Sequence, residues 1–362
     1  MSIDFDPGRW DRVRQIYDAW WSGDLERPII PVVVAGRDPG RPQPAVPLLS
    51  QETCTDLSWS PEEIVDRIDY ELSSYHFLGD AYPWFNMDCF GPGVLAAMMG
   101  AKLDNSTGRV WFWPPDDRPI QEIHLELDPD SIWLNRILDI CAAGMDRWQG
   151  QVLIGMTDLG GNLDVPATFR TTEKLLFDLI DYPDEVERLA WEAHEAWHRA
   201  YSVINAVLQP VNPGYSDWSG IFSDSPSYIL QSDFSYMISP DMFGRFVLPE
   251  LRATCQRLPR SFYHLDGIGQ IPHLEQLLTI DELDGVQWIH GDGKPDCSNW
   301  PEIYQAIHAA GKHIQLISGE FAAIQAVTEQ IGTASGIQYH IFAAPAEREA
   351  EIRQGLAQFE VE

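Results

Sequence analysis

"SFYHLDGIGQ" (residues 261–270) runs from an apolar, aromatic segment directly into His264 and Asp266, and then into Gly267. An imidazole and a carboxylate are both costly to bury. A buried strand that ends on them is therefore read as one that opens into a wet, polar pocket. The same design recurs downstream. "GVQWIHG" (285–291) leads to His290 and Asp292, "KHIQLISGE" (312–320) carries Gln315, Ser318 and Glu320, and "IQYHIFA" (337–343) carries Gln338 and His340. Upstream, "QVLIGMTD" (151–158) ends at Asp158, and "YILQSDF" (228–234) supplies Gln231 and Asp233.

Between these runs lie helix signals. "SPEE" (60–63) offers Ser60 as N-cap, Pro61 at the first helical position and Glu63 to close a capping box. "YPDEVERLAWEAHEAWHRAYSVINAVL" (182–208) starts with Pro183, Asp184 and Glu185 and then carries one apolar stripe. Within "SPDMFGRFVLPEL" (239–251), Pro249 predicts a bend or break. From residue 260 onward the pattern is strand, helix, strand, helix, with helices near 270–279, 300–310, 320–331 and 345–357. Continuous apolar strands alternating with amphipathic helices imply a parallel sheet covered by helices.

With "IIPVVVAG" (29–36) and a weaker strand near 81–90, the strands match an α/β (β/α)8 TIM barrel. The chain reads as a single domain over 1–362, with an N-terminal helical extension (1–28) and insertions at 37–60 and 110–119 over the mouth. A doubly wound open sheet is the alternative. It is disfavoured because no GxGxxG follows the first strand.

The net charge of −31 argues against nucleic acid and anionic membrane surfaces as partners, since both need a basic patch. No secretory signal pattern opens the sequence, and no apolar run reaches the ~18 residues of a membrane span. Five scattered cysteines without a CxxC fit free thiols and a cytoplasmic location. Some of the 14 tryptophans are expected to line a pocket for a flat or sugar-like ligand.

In a barrel, the strand ends converge on one mouth, where active sites form. The residues placed there are Asp266, Glu320, Asp233 and His290 as catalytic groups. Asp158, Gln231, Trp288, Gln315 and Gln338 are placed as substrate-binding groups, and His264, Asp266 and His340 as metal ligands. Each strand-end acid has a plainer role open to it, as a cap for the next helix. His194 and His198, four apart, have metal-ligand spacing but are read as a solvated helix face. Cys297 is a loop thiol within reach of the mouth.

The order and spacing of "LLFDLIDYPDEVERL", "QSDFSYMISPDMFGRFVLPEL", "YHLDGIGQIPHLEQLL" and "GVQWIHGDGKPDCSNWPEIYQAIHAAGKHIQL" resemble the uroporphyrinogen decarboxylase superfamily across roughly 140–345. That resemblance implies a (β/α)8 barrel and two activities, porphyrinogen decarboxylation and methyl transfer between a corrinoid protein and a thiol. The decarboxylases' N-terminal arginine-rich segment has no counterpart in "DRVRQIYDAWW". The methyltransferases bind zinc through an HxC at the strand end occupied here by His264 and Asp266, plus a late cysteine. Glu320 or His340 stands in this chain for that cysteine. The resemblance therefore implies a methyltransferase or demethylase of a small molecule, with zinc and a partner-borne corrinoid as cofactors. A glycoside hydrolase using Asp266 and Glu320 and a non-catalytic ligand-binding barrel are the competing readings, and a homodimer stays open.

Overall fold

The computed structural model describes residues 3–317 and 320–361, so Ser318 lies outside the described residues. The strands are β1 (Pro31–Ala35), β2 (Tyr75–Gly79), β3 (Trp84–Phe85), β4 (Lys102–Asp104), β5 (Trp111–Trp113), β6 (Leu153–Ile154), β7 (Ser227–Leu230), β8 (Arg260–Asp266), β9 (Gly285–Ile289), β10 (His313–Ile317) and β11 (Ile337–Ala344). They form a seven-stranded sheet in the order β2-β1-β11-β10-β9-β8-β7, with two-stranded sheets β3-β6 and β4-β5 beside it. Pairing in the large sheet is parallel except for β1 with β2. The expected barrel is thus found as a mixed α/β fold whose described strands do not hydrogen-bond into one closed ring.

Every strand-length run of the sequence contains a strand, and the weak run near 81–90 contributes β3. Two elements escaped the pattern. The antiparallel edge β2 emerges from the end of a helix, and the β4–β5 hairpin takes its second strand from the 110–119 insertion expected over the mouth.

Helix boundaries follow the local chemistry. Ser60 Oγ accepts from Glu63 N and the Glu63 carboxylate accepts from Ser60 N, closing the capping box of helix Pro61–Ser73. Pro183 opens a helix that runs to Leu208. The break predicted at Pro249 falls at Val247, between helices Pro240–Phe246 and Leu248–Arg257, and leaves the proline in a first turn, where its missing N–H costs nothing.

The N-terminal helix Arg9–Trp21 closes the end of the sheet opposite the mouth. Fully buried Trp20 lies against Phe262 (5.9 Å between ring centroids) and His313 (4.4 Å), near the starts of β8 and β10. Arg27 forks onto Asp80 at 2.7 and 2.8 Å, and Asp80 also accepts from Ile30 N. This pins the entry of β1 to the exit of β2.

Candidate active site

Parallel register stacks the inward side chains of β8 to β11 in layers. The lowest holds Phe262, Gly285 and His313. A Cβ at Gly285 would come within 2.2 Å of the Phe262 ring, so this position admits only glycine beside the phenyl group. The next layer is His264, Gln287, Gln315 and Gln338. Above it stand Asp266 beside Ile289, and His340 beside Ile317.

The middle layer is a polar relay. The Ser219 carbonyl accepts from Gln315 Nε2 at 2.8 Å, and Gln315 Oε1 accepts from Gln287 Nε2 at 2.5 Å. Gln287 Oε1 then accepts from His264 Nδ1. Because a carbonyl can only accept, the whole chain is polarised. The Nδ1 proton is used inward, and the lone pair of His264 is left on Nε2.

That lone pair faces carboxylates. His264 Nε2 lies 4.0 Å from Asp266 Oδ2, and one ligand atom each of Asp233, His264 and Asp266 lie within 4.8 Å of one another. Asp233 arrives from the single-turn segment Asp233–Met237 that follows β7. Two devices hold this segment in place, one from the helix after β6 and one at the end of β8. Asp164 accepts from the backbone N–H groups of Asp233 (3.0 Å) and Phe234 (2.7 Å). Tyr236 lies over the glycine backbone after Asp266, where a Cβ on Gly267 or Gly269 would meet its ring at 2.9 or 2.7 Å.

Two oxygen ligands and an imidazole whose remote nitrogen is hydrogen-bonded make a donor set that suits a divalent cation of the zinc type. A lone-pair nitrogen within this spacing of two carboxylates fits such an ion. Desolvation by the surrounding chain, aided by the charge of Asp266, raises the pKa of Asp233, which still reaches solvent.

Behind the trio sits a second acid pair. Asp158 is buried, accepts from Gly160 N at 2.9 Å and from Gln231 at 3.5 Å, and burial pushes its pKa up to about 7. Burial, with the charge of Asp233, also raises Asp164 well above the usual carboxylate range. A carboxyl poised near neutrality can hold or release a proton at working pH.

Asp164 and Asp233 also border an open cleft of about 490 Å³ walled by Trp111, Phe112 and Trp113 of β5 and by Phe234. The mouth insertion thus provides an aromatic wall, while Asp164 and Gln287 contact the trio and were not singled out from the sequence. A glutamine inside an apolar strand was the available signal for Gln287.

The remaining expected site residues fall as follows. Asp233, His264 and Asp266 come together, and Asp158 and Gln231 lie beside them. Gln315 is spent on the relay, and Gln338 is buried in the same layer next to Tyr17, so both serve the interior and not the cleft. Trp288 is a correction. Its neighbour Gln287 faces inward, so strand alternation turns the indole outward onto Trp300, 5.2 Å between centroids.

His340 is a correction as a metal ligand. Its buried ring stands beside Trp84 (5.8 Å) in an apolar pocket of about 180 Å³, and burial drives its pKa down to about 3. Glu320 faces Arg348 at 3.6 Å with its side chain two-thirds exposed (66%), and it does not join the trio. His290 follows β9 near Asp296 and does not join the trio.

Cys297 is buried. The solvated-face reading of His194 and His198 also fails. His194 is buried and bonded to Glu250 at 2.8 Å, and His198, lowered to about 4 by burial and by the neighbouring His194, contacts Thr254 at 3.4 Å.

Fold and site together define a mixed α/β protein whose strand ends present an imidazole–carboxylate trio beside an aromatic cleft. Among solved structures, the chain is similar to a methyltransferase from Methanosarcina mazei, with a TM-score of 0.61 and 12% identity over 96% of this chain and 99% of that one. At that identity the likeness is one of fold. No protein-family model matches the chain, and no curated protein matches it in sequence. Among the described residues, no helix is long and apolar enough to cross a membrane.

Proposed function

We propose that this protein is a methyltransferase or demethylase of the uroporphyrinogen decarboxylase superfamily. In this reading the parallel strands of the large sheet and the β3–β6 pair complete a (β/α)8 barrel. Asp233, His264 and Asp266 hold a zinc-type ion, and a small methylated molecule enters through the cleft. The acceptor is a thiol or a partner-borne corrinoid. The observation that carries the reading is the polarised relay, because it aims the His264 lone pair at two carboxylates at the strand ends.

The ion would lower the pKa of a bound thiol, so that the acceptor attacks as a thiolate. The chain's own residues do the rest. Gln287 fixes the imidazole tautomer, Asp164 seats Asp233 by binding the backbone of its turn, and Asp158 is placed to hold a proton near neutrality. The paired-carboxylate hydrolase reading is weakened because Glu320 is turned to Arg348.

Metal analysis after chelator-free purification and zinc reconstitution tests the proposal. About one equivalent per chain is expected, strongly reduced in His264→Ala and Asp266→Asn. Binding that is absent, or indifferent to both substitutions, would remove the metal part of the reading. Failure of the loaded protein to move a methyl group from any ether, thioether or ammonium donor to a thiol or corrinoid would remove the reaction.

A further inference from the structure

The cleft beside the trio has a chemical character of its own. Its walls are the Trp111, Phe112, Trp113 and Phe234 rings, and its charged lining is Asp164 and Asp233. Among the described residues, no lysine, arginine or histidine lines it. The other polar lining groups are the threonines at 168, 171 and 172. Trp111 and Trp113 alternate with Phe112 on a short strand and are each 54% exposed, so their indole surfaces are free to meet a ligand. The chain as a whole carries a net charge of −31, which adds a field of the same sign.

This lining rejects several ligand classes. A phosphate, sulfonate or carboxylate would face two acids with no basic side chain among the lining residues. A sugar stacks on indoles and can donate its hydroxyls to carboxylates and threonines, so it is kept as a competing outcome of the test. A hydrocarbon would strip water from the acidic and hydroxyl groups of the lining without replacing it.

We propose that this cleft binds a small methylated ammonium ion, with the cationic methyl groups against the indole faces of Trp111 and Trp113 and inside the field of a strongly acidic chain. A quaternary ammonium is weakly hydrated, offers no N–H that must be satisfied, and is attracted to the face of an indole ring. A volume of about 490 Å³ accommodates such an ion.

The proposal rests on the methyl-transfer reading only in making an N-methyl the group that moves. Attack by a thiolate forms a C–S bond and breaks a C–N bond, and the nitrogen keeps the electron pair as a neutral tertiary amine.

The test is a binding experiment that needs no turnover. Choline is compared with its neutral isostere 3,3-dimethyl-1-butanol and with methyl glucoside, by calorimetry and by tryptophan fluorescence, on metal-loaded and metal-free protein. Choline is expected to bind at least roughly tenfold more tightly than the neutral alcohol. Trp111→Ala with Trp113→Ala is expected to weaken it by a similar factor. Both rings are largely exposed, so the double variant keeps its fold, which circular dichroism checks.

Equal affinity for choline and the alcohol overturns the proposal. So does a preference for the sugar, or choline affinity indifferent to the double substitution. Choline bound without methyl transfer supports this proposal and counts only against the reaction. Metal-dependent transfer from a neutral donor, with no choline binding, overturns this proposal alone.

Discussion

His264 gives its Nδ1 proton to Oε1 of Gln287, two residues that share one register position on β8 and β9. The direction of that bond is set at a distance, by the Ser219 carbonyl at the far end of the glutamine chain. Gln287→Leu should therefore reduce zinc affinity without touching a ligand. A loss of about 10–100-fold is expected, measured by competition with a chromophoric chelator. Unchanged affinity would show that the relay serves packing alone.

Stability should fall as pH rises toward neutrality. Asp158 has its folded pKa raised by burial to about 7, above its ordinary 3.8. The folded chain thus holds a proton that the unfolded chain has released. The stabilisation is complete below the ordinary value and is lost as pH climbs through the folded one. Urea midpoints between pH 5 and 8 should decline for the native chain and decline less for Asp158→Asn. The slope survives in part, because Asp164 and Asp233 are raised in the same direction.

Glu250 should behave with the opposite sign. It accepts from Asn162 at 2.6 Å, from Thr254 at 2.7 Å and from His194 at 2.8 Å. Burial alone would raise its pKa, but these hydrogen bonds hold it below the ordinary 4.5. Its contribution is present above that value and is lost as acid protonates it. Glu250→Ala leaves three buried partners unmatched and should cost about 3–5 kcal/mol in chemical denaturation. Asn162 lies in the loop between Asp158 and Asp164, so the same variant should also loosen the carboxylates around the trio.

Gly267 follows Asp266 with φ +78, a conformation that L side chains avoid, and Tyr236 lies 2.9 Å from where a Cβ would be. Gly267→Ala should cost about 1–3 kcal/mol from the backbone alone. Because Tyr236 must shift, Asp233 moves with its turn. Zinc affinity should drop further than the stability loss accounts for, read by the same chelator competition. A variant that loses stability but binds metal normally would separate the tyrosine contact from the site.

Much of this was legible along the chain. His264 and Asp266 announced a polar strand end because ionisable groups after an apolar run are too costly to keep without a purpose. Asp233 was found by the same logic. Trp288 was misplaced because proximity in sequence to His290 outweighed the two-residue alternation, which sends it to the opposite face from Gln287. His340 shares the inward parity of Gln338, yet its neighbours across the chain, Trp84 and Tyr82, are apolar. No local pattern reveals such a partner.

Taken alone, the amino-acid order determined the parallel strands, the capped helices between the late ones, and which strand tips carry ionisable groups. Those are local matters of side-chain period, capping and proline geometry. Only the tertiary structure decided that Asp233 and not His340 completes the trio, that a carbonyl at Ser219 orients an imidazole on another strand, and that a hairpin tryptophan pair walls the cleft. Each depends on inter-strand register and loop placement, which arise from packing between residues far apart in the chain.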